Sequence, residues 1–116
     1  MAFSDWLPWG DIPEISARSL AENLPNVQVL DVRTPREFRR NHVFGAINVP
    51  ITRLDPQNVL TLGLDAGRPV VVICLTAHRS IPAVKKLRRW GFDAEQLQGG
   101  MRAWWQQELP CASSEQ

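Results

Sequence analysis

Residues Val70 to Ile73 read VVVI, and this run restricts the fold more than any other feature of the chain. An unbroken series of β-branched residues predicts a strand that is buried on both faces, which is typical of a parallel sheet covered by helices. Cys74 follows directly, and residues 80–90 then carry apolar side chains at helical spacing until Gly91 ends the pattern. The chain is therefore predicted to pass from a central strand into a helix at the carboxyl edge of a sheet.

The remaining strands are predicted by short apolar segments bounded by turn residues. They lie at residues 14–16, 27–30, 46–49 and 95–97. Helical patterns separate them, so strands and helices alternate along the chain. This order predicts an α/β fold with a central parallel sheet and helices on both faces.

The helix signals between these strands are local. Ser16 is the predicted N-cap of a first helix, which Pro25 stops. The sequence TPRE at residues 34–37 forms a capping box with proline at the first helical position, and its short helix ends near Asn41. Residues 51–69 are expected to be a connection with some helical turns.

Length and composition exclude several classes of function. The 116 residues suffice for one domain, and a composition of 44% hydrophobic and 22% charged residues is that of an ordinary soluble protein. A formal charge of +1 gives no reason to expect a nucleic-acid partner or an anionic membrane surface. No stretch approaches the roughly 20 apolar residues needed to cross a bilayer, and no secretory signal is visible. The expected location is the cytoplasm.

Cys74 is the strongest candidate for chemistry. In open α/β sheets ligands bind beyond the carboxyl ends of the strands, where this cysteine is predicted to lie. The following helix start offers unpaired N–H groups and the positive end of the helix dipole, both of which favour an anion such as a thiolate. Arg79 and His78 add positive charge. The alternative is a buried structural cysteine.

Three other polar residues are candidates near this edge. Asp31 and Arg33 follow another strand and are expected to line or brace the site, unless Arg33 instead forms a salt bridge with Glu37. His42 lies between a helix and a strand, and a structural hydrogen bond is the favoured interpretation over a chemical role.

The tryptophans divide into two groups. Trp90, Trp104 and Trp105 occur at spacings that predict packing in the core. Trp6 and Trp9 precede the alternating pattern, and we expect them to fold back over the core rather than form a partner surface.

The ends of the chain are treated separately from the domain. Residues 1–11 form a lead segment, residues 12–110 the predicted domain, and residues 111–116 a polar tail that is expected to fray. Cys111 lies in that tail, and no feature of the sequence brings it to Cys74 as a resolving thiol. The two cysteines form neither a disulfide framework nor a repeated metal-binding pair, so no metal site is expected.

Taken together, four segments of the chain resemble the single-domain rhodaneses, a sulfurtransferase family. They occur in the order and spacing of that family over about residues 12–110. The segments are VLDVRTPREF, NHVFGAINVP, VVVICLTAHRS and LQGGMRAWWQQELP.

The resemblance implies a sheet of five parallel strands and a Cys74 that carries a sulfane sulfur as a persulfide. The sulfur would come from a small anion such as thiosulfate or from another persulfide, and would pass to cyanide, a thiol or an acceptor protein. Amides of the loop after Cys74 would cradle the persulfide, and no metal or organic cofactor is required. The implied substrate-binding residues are Leu75, Thr76, Ala77, His78, Arg79 and Ser80.

The chain departs from the family pattern at two loop positions. Ala77 stands where many members have glycine, and Leu75 stands where thiosulfate-specialised members often carry a cation. These departures predict that thiosulfate is a mediocre donor.

Two other functions remain open on the sequence. Cysteine phosphatases and arsenate reductases also hold a thiolate in a loop before a helix, but their loops have one residue more between cysteine and arginine than the four found here. A non-catalytic interaction module with the same fold is the second alternative, and the intact cysteine argues against it.

Overall fold

The computed structural model of the chain describes residues 12–114 and contains a single sheet of five parallel strands, as predicted. The strands are β1 (Glu14–Ile15), β2 (Gln28–Asp31), β3 (Ile47–Asn48), β4 (Val70–Ile73) and β5 (Ala94–Leu97). The helices are α1 (Ala17–Asn23), α2 (Pro35–Arg40), α3 (Pro56–Thr61), α4 (Ser80–Arg89) and α5 (Gly100–Gln106). Two 3-10 turns lie at Leu24–Asn26 and Ile51–Arg53. The spatial order of the strands is β1-β5-β4-β2-β3.

Strand β4 lies at the centre of the sheet, and all four of its side chains are fully buried. Val70 and Val72 pack with residues of α3 and α4 on one face, whereas Val71 and Ile73 pack with residues of α1 and α5 on the other. The alternation of side chains along a strand produces these two core layers. The apolar run that predicted a doubly covered strand therefore forms the centre of the molecule.

The predicted helix caps are present. The Ser16 hydroxyl accepts a hydrogen bond from the Ser19 amide at 3.1 Å. In the capping box, the Thr34 hydroxyl accepts from the Glu37 amide at 3.2 Å, and the Glu37 carboxylate accepts from the Thr34 amide at 2.9 Å. The uncertain connection over residues 51–69 contains α3, which Asp55 caps by accepting from the Asn58 amide at 2.8 Å.

Strand β3 is shorter than the predicted segment 46–49. Its ladder covers only Ile47 and Asn48, although the Val49 amide still donates to the Asp31 carbonyl at 3.0 Å. Pro50 follows, and the chain then enters the 3-10 turn at Ile51, whose amide donates to the Val32 carbonyl at 3.0 Å.

The prediction of a frayed tail is wrong for residues 111–114. Ala112 pairs with His42 in an antiparallel bridge, with hydrogen bonds of 2.8 and 2.9 Å, and the Ser114 amide donates to the Arg39 carbonyl at 2.8 Å. The segment after α2 leaves backbone groups unpaired, and the tail satisfies them. The lead segment, residues 1–11, with Trp6 and Trp9, lies outside the described residues.

The prediction of a core position is also wrong for Trp105. Trp104 is fully buried, but Trp105 is 40% exposed and its indole N–H donates to Asn41 Oδ1 at 2.6 Å. Met101 and Trp104 face the sheet, and the next residue of a helix points about 100° away from its predecessor. Trp90 is half-buried against the cluster on the α4 face, in line with its predicted packing.

Candidate active site

Cys74 follows β4 directly and lies at the carboxyl edge of the sheet, between the segments that leave the neighbouring strands β2 and β5. It is 1% exposed and packs within the cluster on the α4 face. The position predicted from the sequence is therefore correct. Cys74 is both buried and close to the start of α4.

The loop after Cys74 is held by the start of α5. The carbonyls of Cys74 and Leu75 accept hydrogen bonds from the amides of Met101 and Arg102 at 2.9 and 3.1 Å. Gly100 approaches the carbonyls of residues 74–76 so closely that any Cβ atom there would collide with them. This contact explains the glycine, which also has a positive φ of 61°.

The loop carbonyls and the loop amides are used differently. Within residues 12–114, no amide of residues 75–80 donates to a carbonyl or a side chain of the chain. Helix α4 begins without a hydrogen bond from a capping side chain. The loop therefore keeps several N–H groups available for an anion beside Cys74.

Ala77 fits the loop without the freedom of glycine. Across the described part of the chain, Glu108 is the one non-glycine residue with a positive φ, at 54°. Ala77 thus adopts a backbone conformation that any L-residue tolerates. The departure from the glycine of the resembling loops causes no backbone strain.

Ser80 faces inward from the end of the loop. Its hydroxyl lies 3.6 Å from Cys74 Sγ, 2.6 Å from Gln96 Oε1 and 3.2 Å from the Ala77 carbonyl. Gln96 in turn donates from Nε2 to the carboxylate of Glu14 at 2.7 Å. Gln96 was not a sequence candidate, because only the pairing of β5 with β4 brings it to the loop.

Arg79 forms a bidentate ion pair with Glu37 of α2, with N–O distances of 2.7 and 3.1 Å. The two side chains are 30% and 31% exposed. The hydrogen bonds from Arg79, with smaller contributions from Thr34, lower the pKa of the Glu37 carboxyl from 4.5 to about 2 against the opposing effect of burial. The same hydrogen bonds raise the pKa of Arg79, and the charges of Cys74 and Asp31 contribute less. Glu37 therefore caps α2 and ties the arginine of the cysteine loop to the neighbouring turn.

The alternative pairing of Arg33 with Glu37 is wrong. Arg33 instead binds both carboxylate oxygens of Asp31 through Nε and Nη2, at distances of 2.8 to 3.1 Å, and Nη2 also donates to the Asn41 carbonyl at 2.6 Å. Both members of the pair are buried. Asn48 donates to the carbonyls of Asp31 and Arg33, both at 2.9 Å, and completes the network. Asp31 and Arg33 thus brace the turn after β2.

The remaining side chains of the loop differ in their surroundings. The Thr76 hydroxyl and His78 Nδ1 are 3.3 Å apart, and the His78 side chain is exposed. Leu75 lines a cavity of about 250 Å³ on the side of α2. The other lining residues are Arg33, Thr34, Arg36, Glu37, Arg40, Asn41 and Trp105.

His42 and Cys111 lie away from this loop. His42 stacks on Phe38 with ring centroids 3.9 Å apart, and its Nδ1 is 2.6 Å from the Phe38 carbonyl oxygen, which is a structural role. Cys111 packs in the cluster on the face of the sheet opposite to Cys74, and both cysteines are free.

Among residues 12–114, no group of three or more His, Cys, Asp or Glu side chains is placed to hold a metal ion. No helix in this described range is long and apolar enough to span a membrane.

Comparison with known proteins gives the family. A model of the rhodanese-like domain matches residues 16–107, which is most of the chain. This chain belongs to the rhodanese-like family. A sulfurtransferase of Allochromatium vinosum is 30% identical over 108 residues, which cover 90% of this chain and 98% of the relative. Thiosulfate sulfurtransferase 16 of Arabidopsis thaliana is 35% identical and is matched over 76% of its length.

The solved structures agree with this assignment. A rhodanese-related protein of Thermoplasma volcanium superimposes with a TM-score of 0.80 at 31% identity, covering 89% of this chain and 99% of that one. Some relatives are longer: the chain spans 48% of an uncharacterised protein of Synechocystis to which it is 35% identical. Residues 16–107 thus form a rhodanese-like domain, and its relatives include proteins named as sulfurtransferases.

The sequence contains signals for the roles of Glu37 and Gly100, although those roles were not predicted from it. Glu37 was assigned to the capping box and, as an alternative, to a salt bridge with Arg33, but a carboxylate in the first turn after one strand is also well placed to meet an arginine in the turn after a neighbouring strand of the sheet. Gly100 stands in a Gly-Gly pair before a helix, which indicates close backbone approach. Gln96 carries no such signal, because a polar residue in a short predicted strand is usually assigned to the solvated face.

Proposed function

We propose that this chain is a sulfurtransferase that carries a sulfane sulfur as a persulfide on Cys74. The observation that supports it most is the location of this buried cysteine inside a loop whose amides are uncommitted, directly before a helix with no capping side chain. The sulfurtransferase names among its relatives agree with the proposal.

In the first step, the Cys74 thiolate attacks the outer sulfur of the donor. With thiosulfate, the new S–S bond forms as the original S–S bond breaks, and sulfite leaves with the electron pair. In the second step, an acceptor such as cyanide or a thiolate attacks the terminal sulfur of the persulfide, and Cys74 leaves as a thiolate. Each step is a nucleophilic displacement that needs no external oxidant, metal or organic cofactor.

The loop amides supply electrostatic stabilisation in both steps. Negative charge lies on the sulfur of Cys74 before attack and on the terminal sulfur of the persulfide afterwards. The amides of residues 75–80 follow Cys74 directly and, within the described chain, donate to no internal acceptor, so they are the proposed donors to this charge. Because Cys74 is 1% exposed, a donor reaches its sulfur only by inserting a narrow end into the loop. A terminal sulfur atom meets that requirement better than a tetrahedral phosphate does.

The residues around the loop favour a persulfide donor over thiosulfate. Arg79 is committed to Glu37, and Leu75 provides no charge, so the sulfonate of thiosulfate meets little free cation within the loop itself. The cavity beside Leu75 instead gives an apolar wall, with Trp105 among its lining residues, for the part of a thiol persulfide that does not react. The acceptor would be a thiol, on a small molecule or on a protein.

Intact mass spectrometry tests the proposal directly. The chain is incubated with thiosulfate or with a low-molecular-weight thiol persulfide, and then with cyanide. We expect a gain of one sulfur atom that cyanide removes, and faster loading from the persulfide. A protein that gains no sulfur from either donor would refute the proposed function and favour a non-catalytic interaction module.

A further inference from the structure

A line of polar groups, buried except at its last member Glu14, runs from the proposed nucleophile to the edge strand β1. Cys74 Sγ contacts Ser80 Oγ at 3.6 Å, Ser80 Oγ contacts Gln96 Oε1 at 2.6 Å, and Gln96 Nε2 contacts Glu14 at 2.7 Å. Ser80 is fully buried and Gln96 is 4% exposed. The line crosses three adjacent parts of the structure, the β4–α4 loop, β5 and β1, because β1 pairs with β5 and β5 with β4.

The carboxylate at the end of this line fixes the direction of every hydrogen bond in it. A carboxylate only accepts, so Gln96 must turn its NH₂ group toward Glu14, which leaves its carbonyl oxygen toward Ser80. That oxygen also only accepts, so Ser80 donates its single proton to it. Among the described residues, the one other oxygen that the hydroxyl contacts is the Ala77 carbonyl at 3.2 Å, which also only accepts.

Cys74 therefore faces the lone pairs of the Ser80 oxygen. A thiol donates its proton to those lone pairs, whereas a thiolate finds no donor there unless Ser80 breaks its 2.6 Å bond to Gln96. Turning the Gln96 amide over would release the Ser80 proton toward the sulfur, but it would also direct the amide oxygen at the Glu14 carboxylate. The line of hydrogen bonds thus favours the thiol, in opposition to the loop amides.

We propose that Gln96, oriented by Glu14, is a positioning residue that keeps the Ser80 hydroxyl proton away from Cys74 and so limits the reactivity of the resting cysteine. This inference rests on the proposed function for the meaning of that reactivity, although the reactivity itself is measured without any sulfur transfer. The other charged groups around Cys74 are Arg79, which is paired with Glu37, and Asp31, which is paired with Arg33. His78 is exposed on the loop.

The test is the rate at which iodoacetamide alkylates Cys74 as a function of pH, measured in a Cys111→Ser background that leaves a single cysteine. Glu14→Gln keeps the shape of the side chain and allows the Gln96 amide to turn over. We expect its alkylation midpoint at lower pH than that of the parent, and a rate below the midpoint about fivefold higher, as for one ordinary hydrogen bond. Gln96→Met removes both polar atoms at similar volume and should shift the profile in the same direction.

A double variant separates hydrogen-bond direction from simple charge removal. In a Ser80→Ala background, Glu14→Gln should leave the profile in place, because no hydroxyl remains to be reoriented. Glu95→Gln is the matched control, since Glu95 is the neighbouring strand residue and points to the opposite face of the sheet from Gln96. It should not move the profile in any background.

Two results would overturn the proposal. One is an unchanged profile in both Glu14→Gln and Gln96→Met, and the other is an equal shift from Glu14→Gln with and without the Ser80 hydroxyl. Thermal unfolding of each variant shows whether it is folded. If Ser80→Ala does not fold, the alkylation profile of Gln96→Met decides whether the proposal stands. Failure of the proposed function would appear elsewhere, as absence of the added sulfur mass with the alkylation profile still responding.

Discussion

Two strand-to-helix turns meet at the carboxyl edge of the sheet, and they differ in how far their charged groups and amides are paired within the chain. The turn after β2 contains the buried Arg33, which Asp31 neutralises, and leads into α2, whose N-terminus is capped by Thr34. The turn after β4 leads into α4, which has no side-chain cap, and within the described chain its loop amides donate to no internal acceptor. The two turns share one cross-link, the ion pair of Glu37 with Arg79.

The difference shows how one edge of a sheet can hold a rigid half and a binding half. The first turn has its charges and amides satisfied internally, so it stabilises the position of its neighbour. The second turn keeps its donors for a ligand, and its shape is imposed from outside by Glu37 on one side and by the α5 amides on the other. Changes in the second turn should therefore affect activity, and changes in the first should affect stability.

The largest effect is expected at the nucleophile of the second turn. Cys74→Ser should abolish sulfur transfer, because a serine hydroxyl neither forms a persulfide nor ionises near neutral pH, and the fold should persist since the two side chains are close in size. Cys111→Ser is the matched control and should retain nearly full activity. A thiosulfate:cyanide assay with far-UV circular dichroism checks both, and loss of activity in the Cys111 variant alone would show that the wrong cysteine was assigned.

Changes in the first turn, the one after β2, should lower the stability of the fold. Arg33→Met removes the partner of a buried carboxylate and leaves Asp31 without its counter-charge, so the free energy of unfolding should fall by about 3–5 kcal/mol. Urea unfolding measures this change. The double variant Asp31→Leu with Arg33→Met should recover part of the loss, because it leaves no unpaired buried charge. A single variant as stable as the parent would show that the turn after β2 is not a brace.

The size of the second turn is tested by an insertion. One glycine placed after Ala77 would widen the ring of amides around Cys74, moving donors away from a persulfide and toward the spacing that a larger oxyanion needs. Misplacing one such donor should lower sulfur transfer by about a hundredfold or more. Sulfur transfer and aryl-phosphatase activity are measured side by side on the parent and the insertion variant. Two results would favour a phosphatase instead. One is an insertion variant that transfers sulfur as well as the parent, and the other is a parent whose phosphatase turnover equals its sulfur-transfer turnover.

The parts of this arrangement that the sequence predicted are those encoded in consecutive residues. The run Val70–Ile73, the capping box at residues 34–37 and the position of Cys74 each follow from a local pattern whose physical cause is local. Contacts between distant segments could not be predicted from a local pattern. The contacts of Glu37 with Arg79 and of Ser80 with Gln96 depend on the order and register of the strands. Trp105 was misassigned because adjacent tryptophans on a short helix cannot both face the core.

The smallest expected effect concerns the cross-link itself, and its pH dependence identifies it. The pKa of Glu37 is lowered from 4.5 to about 2, mainly by Arg79 and to a smaller extent by Thr34, so these contacts add stability that is fully present above pH 4.5 and is lost as the pH falls toward 2. Because both side chains are about 30% exposed, solvent screening limits the contribution to about 1 kcal/mol or less. Glu37→Gln should therefore be slightly less stable than the parent at pH 7, and the difference should shrink between pH 4.5 and 2.

Arg79→Ala should remove most of this pH-dependent increment and leave the smaller part that comes from the hydrogen bonds of Thr34 to Glu37, whereas Glu22→Gln, at an exposed position of α1, should leave the increment unchanged. Urea unfolding at a series of pH values measures the increment in each variant. A Glu37 increment that does not vary with pH, or that survives undiminished in Arg79→Ala, would mean that the two turns are joined by packing and not by this ion pair.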